Sequence, residues 1–238
     1  MHYLAARKSA KRPHPPPLPP PCPLFATNPS PPTHQNVGLA IRALAAAQAQ
    51  TSHRGASAAN SSLGHDSRLR ENVEHLAELR ALAAELGVAG AVAFLPSFTD
   101  AQRAALLASA RAVLYTPTDE HLGIVPLEAA AAGRAVLACA SGGPLETVVE
   151  GETGLLRDSR PESETGLLRD PRPEVWADAL RALCTPGAAE RMGAAARRRA
   201  AQCFSRAAFG ERLESLVARL AAHGAQRAGA GGGGAKTE

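Results

Sequence analysis

Two glutamates, Glu120 and Glu128, stand on either side of a stretch where strand-forming sequence gives way to helix-forming sequence. Strand formers occupy 113–115, and Pro126 suits the first turn of a helix, where its missing N–H is not needed. The unpaired N–H groups at a helix start, together with the positive end of the helix dipole, attract anions. Gly123 has no side chain to shield these amides. We therefore expect a phosphate-binding turn around Gly123.

The two carboxylates suit a ligand with neighbouring hydroxyl groups, because one carboxylate accepts hydrogen bonds from both members of a diol. Glu120 falls in the predicted loop and Glu128 in the first turns of the helix, so both are expected to face one crevice. A second stretch, 141–146, contains Gly142 and Gly143 and repeats the arrangement after the next predicted strand. Two such loops side by side predict a site for a phosphate and a sugar, as in a nucleotide sugar.

Each of these motifs also has a purely structural explanation. A glutamate in the first turn of a helix stabilises it by about 0.3–1 kcal/mol through the dipole, and this is sufficient to explain Glu128. Gly-Gly-Pro is more often a plain turn than a ligand loop. Glu146 is a weaker candidate that is explained equally well by capping of its own helix. The position of both loops at the carboxyl ends of successive strands favours the binding function.

The alternation of strand-like and helix-like segments predicts an α/β fold with a doubly wound, mostly parallel sheet. Thr99 and Gln102 have the spacing of a capping box, and Gly87 and Gly133 are expected to end helices. The predicted strands are Val92–Leu95, 113–115 and Ala135–Cys139, and helices are predicted within 36–44, 66–86, 99–107, 173–183, 188–201 and 205–220.

The 238 residues are sufficient for one well-packed core with tails. Residues 1–35 are rich in proline with a basic start and predict a disordered tail. Residues 36–222 are assigned to the folded domain, and the Gly-rich residues 223–238 to a flexible end. Within the domain, the Ser-, Ala- and Gly-rich segment 51–63 is interpreted as a loop.

One sequence, Glu-Thr-Gly-Leu-Leu-Arg-Asp, occurs twice, at 152–158 and at 164–170, and Arg-Pro-Glu follows each copy. This duplication, within 152–174, has only two copies and a shorter period than solenoid repeats. We interpret one copy as an inserted loop, because added loop length has a small entropic effect.

The composition excludes several classes of function. The net charge is +4, but six basic residues and no acidic residue precede Asp66, so the remainder is slightly acidic and nucleic acid is not an expected partner. Aromatic residues make up 3% of the chain, too few for a base-stacking platform. The cysteines and histidines lack metal-ligand spacing, and neither a metal nor a cofactor is expected. No apolar run is long enough to predict a transmembrane segment.

The chain resembles glycosyltransferase family four, whose Glu-x7-Glu signature is matched by Glu120 and Glu128. The resemblance is carried by the sequences at 71–75, 94–100, 114–117, 120–129 and 141–146, and within the family it is strongest to mannosyltransferases of the dolichol-linked oligosaccharide pathway. It extends from about residue 64 to 156, and more loosely to 220. It covers only the carboxyl-terminal, donor-binding half of the GT-B fold, which has two Rossmann-like domains.

This resemblance implies transfer of mannose from GDP-mannose to a dolichol-diphosphate-linked oligosaccharide in α-1,3 and α-1,6 linkages. The reaction would retain the anomeric configuration without a metal, at the cytoplasmic face of the endoplasmic reticulum membrane, in N-glycan precursor assembly. By resemblance, Glu128 holds the ribose hydroxyls and Glu120 the mannosyl hydroxyls. The amides of Gly123, Ile124 and Val125 would meet the diphosphate. His121 is a candidate for the donor pocket, and a structural role explains it at least as well. The second loop adds Ser141, Gly142 and Gly143 as donor-binding candidates.

The chain departs from the family pattern at 29–35, where basic residues that hold the donor diphosphate are replaced by proline, serine and other neutral residues. The loss of such a contact lowers affinity by about 1.5–3 kcal/mol. An alternative reading is therefore a non-catalytic or truncated nucleotide-sugar-binding subunit, docked through the apolar face of 209–220 on a partner chain that supplies the acceptor domain. A retaining glycosidase fits less well, because nothing supplies the apolar burial that raises the pKa of one carboxyl group.

Overall fold

The computed structural model describes residues 24–28, 36–49, 59–63, 70–95, 99–158 and 172–230, with side chains described in all of these except 24–28, 59–63 and 224–230. The strands are β1 (Leu24–Asn28), β2 (Ala59–Leu63), β3 (Val92–Leu95), β4 (Ala112–Tyr115), β5 (Ala135–Cys139) and β6 (Gly154–Arg157). The helices are α1 (Val37–Ala49), α2 (Arg70–Glu85), α3 (Asp100–Ser109), α4 (Ile124–Ala131), α5 (Pro144–Thr147), α6 (Pro173–Cys184), α7 (Ala188–Cys203) and α8 (Arg206–Ala230).

The described strands form one parallel sheet in the order β3-β2-β1-β4-β5-β6. This is the strand order of a doubly wound Rossmann-like sheet, so the predicted fold class is confirmed. Each strand is followed by at least one helix before the next strand begins. After β3, at one side of the sheet, the chain returns through α3 to the middle, where β4 pairs with β1. The order therefore reverses between β1 and β4, which lie side by side in the middle of the sheet.

The neighbouring interior strands β4 and β5 are buried along their whole length, as expected for strands covered by helices on both faces. Alternate side chains point to opposite faces. One face carries Val113, Tyr115, Val136 and Ala138, which pack with Leu107 of α3 and with Val125 and Ala129 of α4. The other carries Ala112, Leu114, Ala135, Leu137 and Cys139, which pack with residues of α1, α2 and α6, including the fully buried Trp176.

The assignment of 1–35 to a disordered tail is wrong for Leu24–Asn28, which form the central strand β1. Prolines lie on both sides of this segment, and proline-rich sequence favours extended or disordered chain. The strand is instead defined by main-chain pairing with β2 on one side and β4 on the other, which needs no particular side chains. The remainder of 1–35 lies outside the described residues.

The interpretation of 51–63 as a loop is likewise wrong for Ala59–Leu63, which form β2 between β1 and β3. The sequence Ala-Asn-Ser-Ser-Leu has low strand propensity. Tertiary context overrides that propensity, because both edges of this segment meet neighbouring strands that satisfy its backbone groups. Residues 51–58 lie outside the described residues.

The local signals for helix ends agree with the structure. Thr99 and Gln102 form the predicted capping box, with the Thr99 N–H donating to Gln102 Oε1 at 2.8 Å. Gly133 has a φ of +71° after α4, and the N–H of Arg134 returns to the carbonyl of Ala129. Ser205 Oγ accepts from the N–H of Ala208 at the start of α8, as predicted.

The carboxyl-terminal part differs from the predicted boundaries. Helix α8 continues to Ala230, so residues 223–230 belong to a helix and not to a flexible end. The first copy of the duplicated sequence contains β6, whereas the second copy lies outside the described residues. Among the helices described, none combines the length and the hydropathy needed to cross a membrane.

Candidate functional site

The candidate site lies at the carboxyl edge of the sheet, which we define as the edge where the strands end. Two segments meet there: the first loop (residues 116–123), between β4 and α4, and the second loop (residues 140–143), between β5 and α5. The first loop follows β4, one of the two strands between which the strand order reverses. In open α/β sheets, ligands bind in the crevice at this reversal. The topology therefore selects the same loops as the sequence did.

The first loop turns sharply because two of its residues have left-handed backbone conformations. Asp119 has a φ of +55°, a conformation that aspartate tolerates better than most residues, and Gly123 has a φ of +70°. Gly123 also lies close to the hydroxyl end of the Tyr115 side chain, since a Cβ built on it would be 2.7 Å from the tyrosine oxygen. Only glycine satisfies both conditions, so the sequence places Gly123 where α4 must begin.

Helix α4 begins at Ile124, one residue after Gly123, and presents its first amides at the carboxyl edge. These N–H groups have no intrahelical acceptor, and the helix dipole adds partial positive charge. Val125 is buried below them, whereas Ile124 is 59% exposed. This is the arrangement expected for the predicted diphosphate contact of 123–125, which stays a prediction.

The first and second loops are joined through their backbones. The N–H of Gly143 donates to the carbonyl of Glu120 at 2.8 Å, and the N–H of Asp119 donates to Ser141 Oγ at 3.0 Å. A Cβ on Gly142 would stand 2.2 Å from the Glu120 carbonyl oxygen. The sequence-predicted residues Glu120, Ser141, Gly142 and Gly143 are therefore brought together as one rigid pair of loops.

The expectation that the second loop repeats the anion-binding design of the first is wrong for Gly143. Its N–H is already bonded to Glu120, so it is not available to a phosphate. The N–H groups of Leu145 and Glu146 also turn inward, to the carbonyls of Gly142 and Gly143. Because α5 is a single turn, it offers few further amides. The second loop therefore holds the first loop in place through its backbone.

The two predicted carboxylates have different neighbours. Glu128 is half-buried on α4 and forms an ion pair with Arg103 of α3, through Oε2 and Nη2. Glu120 is half-buried on the first loop, and its charge acts on Tyr115. The pKa of the Tyr115 hydroxyl is raised above its ordinary value mainly by burial, and then by the charges of Glu120 and Cys139. His121 is exposed beside Glu120.

Sequence reasoning missed two side chains that shape the site. The sequence identifies Tyr115 only as a strand former, whereas in the structure its hydroxyl lies against Gly123. Arg103 was not singled out, although it is the one basic residue of α3 and falls in the turn after the Thr99 cap, close to the carboxyl edge. This position near the start of a helix that follows a strand is the sequence signal that identifies Arg103 as a candidate site residue. Within the described ranges, no group of three or more metal-ligating side chains is present.

A protein-family model described as "Glycosyl transferases group 1" matches residues 33–199. The chain belongs to this glycosyltransferase family. The alpha-1,3/1,6-mannosyltransferase ALG2 of Rhizomucor pusillus is 38% identical over 208 residues, which cover 78% of this chain and 43% of that protein. This glycosyltransferase chain thus spans less than half the length of that relative.

Solved structures agree on the fold of this glycosyltransferase chain. Anabaena Alr3699/HepE in complex with UDP-glucose superposes with a TM-score of 0.65 at 20% identity, covering 84% of this chain and 49% of that one. The C-terminal domain of a glycosyl transferase group 1 family protein from Francisella tularensis gives a TM-score of 0.61 at 16% identity. That match covers 79% of this chain and 88% of the domain, so the fold corresponds to the carboxyl-terminal half of such enzymes.

Proposed function

We propose that this chain is the donor-binding part of a retaining α-mannosyltransferase that takes mannose from GDP-mannose. The observation that supports this most directly is the pair of joined loops at the carboxyl edge, where α4 begins directly after Gly123 and the acids Glu120 and Glu128 follow the family signature. The first amides of α4 meet the diphosphate, Glu128 accepts from the ribose hydroxyls and Glu120 from the mannosyl hydroxyls. His121, Ser141 and Gly142 complete the donor pocket.

In this proposal the donor-binding residues stabilise the negative charge that forms on the leaving group. As the bond between mannose and the diphosphate breaks, negative charge grows on the leaving phosphate oxygen. Amides fixed at a helix start stabilise that charge without having to reorient. The amides at 124 and 125 are held by Gly123 and by the buried Val125, so they are pre-positioned for this role. Neither a metal nor another cofactor is part of the proposal.

The acceptor belongs to the same proposal. The similarity to an alpha-1,3/1,6-mannosyltransferase supports a dolichol-diphosphate-linked oligosaccharide as acceptor, at the cytoplasmic face of the endoplasmic reticulum membrane. The chain covers 43% of that relative, so we assign only donor binding to the residues described. Transfer of mannose also requires an acceptor-binding part. That part comes from the same polypeptide or from a partner chain.

Calorimetric titration with GDP-mannose tests the donor. We expect the parent chain to bind GDP-mannose in preference to UDP-glucose, and E128A to lose at least about tenfold in affinity, since a hydrogen bond to a charged group is worth about 1.5–3 kcal/mol. E190A is the matched control, because Glu190 is paired with Arg111, which precedes β4 at the opposite edge of the sheet. Absence of binding by the parent chain refutes the proposal.

Transfer is tested separately, with radiolabelled GDP-mannose and a lipid-linked mannosyl acceptor. The expected product carries a new α-linked mannose, and E120Q lowers its rate of formation more than it lowers donor affinity. Donor binding without transfer, both by this chain and by an assembly that includes an acceptor-binding part, would favour a binding subunit instead.

A further inference from the structure

Arg103 and Glu128 connect two helices that pack on the same face of the sheet. Arg103 lies near the start of α3, which follows β3, and Glu128 lies on α4, which follows the first loop. The Arg103 side chain is 29% exposed and that of Glu128 is 26% exposed. Leu107 of α3 and Ala129 of α4 belong to the same buried cluster. The helices that carry Arg103 and Glu128 are therefore packed against each other.

This pair differs from an ordinary surface ion pair. Exposed pairs contribute little, because water screens them and both side chains lose freedom. Here both partners are mostly covered, and Arg103 Nη2 contacts one carboxylate oxygen, Oε2. A carboxylate has a second oxygen with its own acceptor sites. The contact with Arg103 takes up Oε2, so Oε1 is the carboxylate oxygen that it leaves for a ligand.

Charge gives a second argument. The proposed donor carries negative charge on its diphosphate, and α4 already brings the negative charge of Glu128 close to the amides that bind it. Like charges that lie close together repel more strongly in a partly buried site than in water. The guanidinium of Arg103 compensates the negative charge of this carboxylate. A glutamate with no such partner would hold the ribose and repel the phosphates.

We propose that Arg103 is a positioning residue that orients and neutralises the Glu128 carboxylate, so that its other oxygen accepts hydrogen bonds from the 2′- and 3′-hydroxyls of the donor ribose. This inference rests on the proposed function, since it assumes that Glu128 meets a ribose. It adds the residue that makes Glu128 selective for a ribonucleotide. Arg103 acts only through Glu128, and this dependence can be measured.

The test measures binding of GDP and of 2′-deoxy-GDP to the full chain by calorimetry. We expect the parent to prefer GDP by about tenfold, the value of one hydrogen bond to a charged group. R103A should bind GDP about tenfold more weakly and lose most of that preference. R103K should fall between the two, because lysine keeps the charge but not the planar geometry. In an E128A background, R103A should have no further effect.

The control is R111A, which removes an arginine of the Arg111–Glu190 pair at the opposite edge and should leave both affinities unchanged. Circular dichroism and the urea midpoint of each variant show that it is folded. If the parent binds GDP and R103A binds it equally well with the same preference, this inference is overturned and the proposed function stands. Equal effects of R103A with and without Glu128 also overturn it. If the parent binds no GDP, both fail together.

Discussion

The hydroxyl group of Tyr115 lies beneath the backbone of Gly123, so closely that a Cβ on Gly123 would stand 2.7 Å from the tyrosine oxygen. The end of the buried strand β4 therefore supports the residue from which α4 begins. Gly123 also has a φ of +70°, which disfavours any residue with a side chain. Two independent constraints thus fix the start of the helix whose amides we assign to the diphosphate.

We expect G123A to lower the free energy of unfolding by more than the left-handed backbone alone explains, which is about 1–2 kcal/mol. G87A is the matched control, because Gly87 has the same φ of +70° and a Cβ there would meet nothing within 4 Å. Urea unfolding of both variants measures the difference, which reports the contact with Tyr115. Equal destabilisation of G123A and G87A would contradict the close approach.

Tyr115 predicts a dependence of stability on alkaline pH. Its pKa is raised in the folded state, mainly by burial, so folded Tyr115 keeps its proton at a pH where the unfolded tyrosine has lost it. The folded state then binds more protons, and stability falls as the pH rises above about 10, the ordinary tyrosine pKa. Below that pH, both states carry the proton and the shift has no effect.

The comparison with Y115F isolates this contribution. The difference in unfolding free energy between the parent and Y115F should be constant below pH about 10 and should then decline by up to about 1.4 kcal/mol per pH unit. Urea unfolding at a series of pH values gives the two curves. Parallel curves throughout would show that Tyr115 ionises as freely in the folded state as in the unfolded state.

Removal of metal ions tests the proposal that donor binding needs none. We expect calorimetric titration with GDP-mannose to give the same affinity in excess EDTA as in excess Mg²⁺ or Mn²⁺, because helix amides and not a cation meet the diphosphate. The described residues contain no cluster of three or more ligating side chains. A loss of affinity in EDTA that Mn²⁺ restores would contradict this expectation.

The parts of the structure that the sequence predicts correctly are those with short-range causes. The capping box of Thr99 and Gln102 needs only three residues of separation, and Gly133 ends α4 because its own backbone conformation requires it. The apolar composition of β5 identifies a strand buried on both faces. In each case the residues that decide the structure are neighbours in the chain.

The failures have long-range causes. Strand β2 reads as a loop, since Asn60, Ser61 and Ser62 are poor strand formers, yet β1 and β3 pair with it on both edges. The ion pair between Arg103 and Glu128 joins two helices whose relative placement follows from the sheet order. The spacing of residues along the chain predicts neither contact. The composition of the second loop likewise suggested free amides, whereas Gly143 donates to Glu120.

Gly143 provides the final prediction, because its backbone is not strained. It has a φ of −56°, which any residue adopts, but a Cβ there would stand 2.1 Å from the carbonyl oxygen of Leu122. G143A must therefore push the first loop away from the second. We expect it to lower the free energy of unfolding by about 1–3 kcal/mol, as overpacking does, and to weaken GDP-mannose binding by displacing Glu120 and the start of α4.

The control is G90A, since a Cβ on Gly90 would meet nothing within 4 Å. Urea unfolding and calorimetry on the two variants separate the effect of packing from that of adding a methyl group. The loss of affinity in G143A should persist at temperatures where the variant is fully folded, because the first loop is displaced in the native state. If G143A binds GDP-mannose as tightly as G90A does, the contact between the loops does not position the donor site.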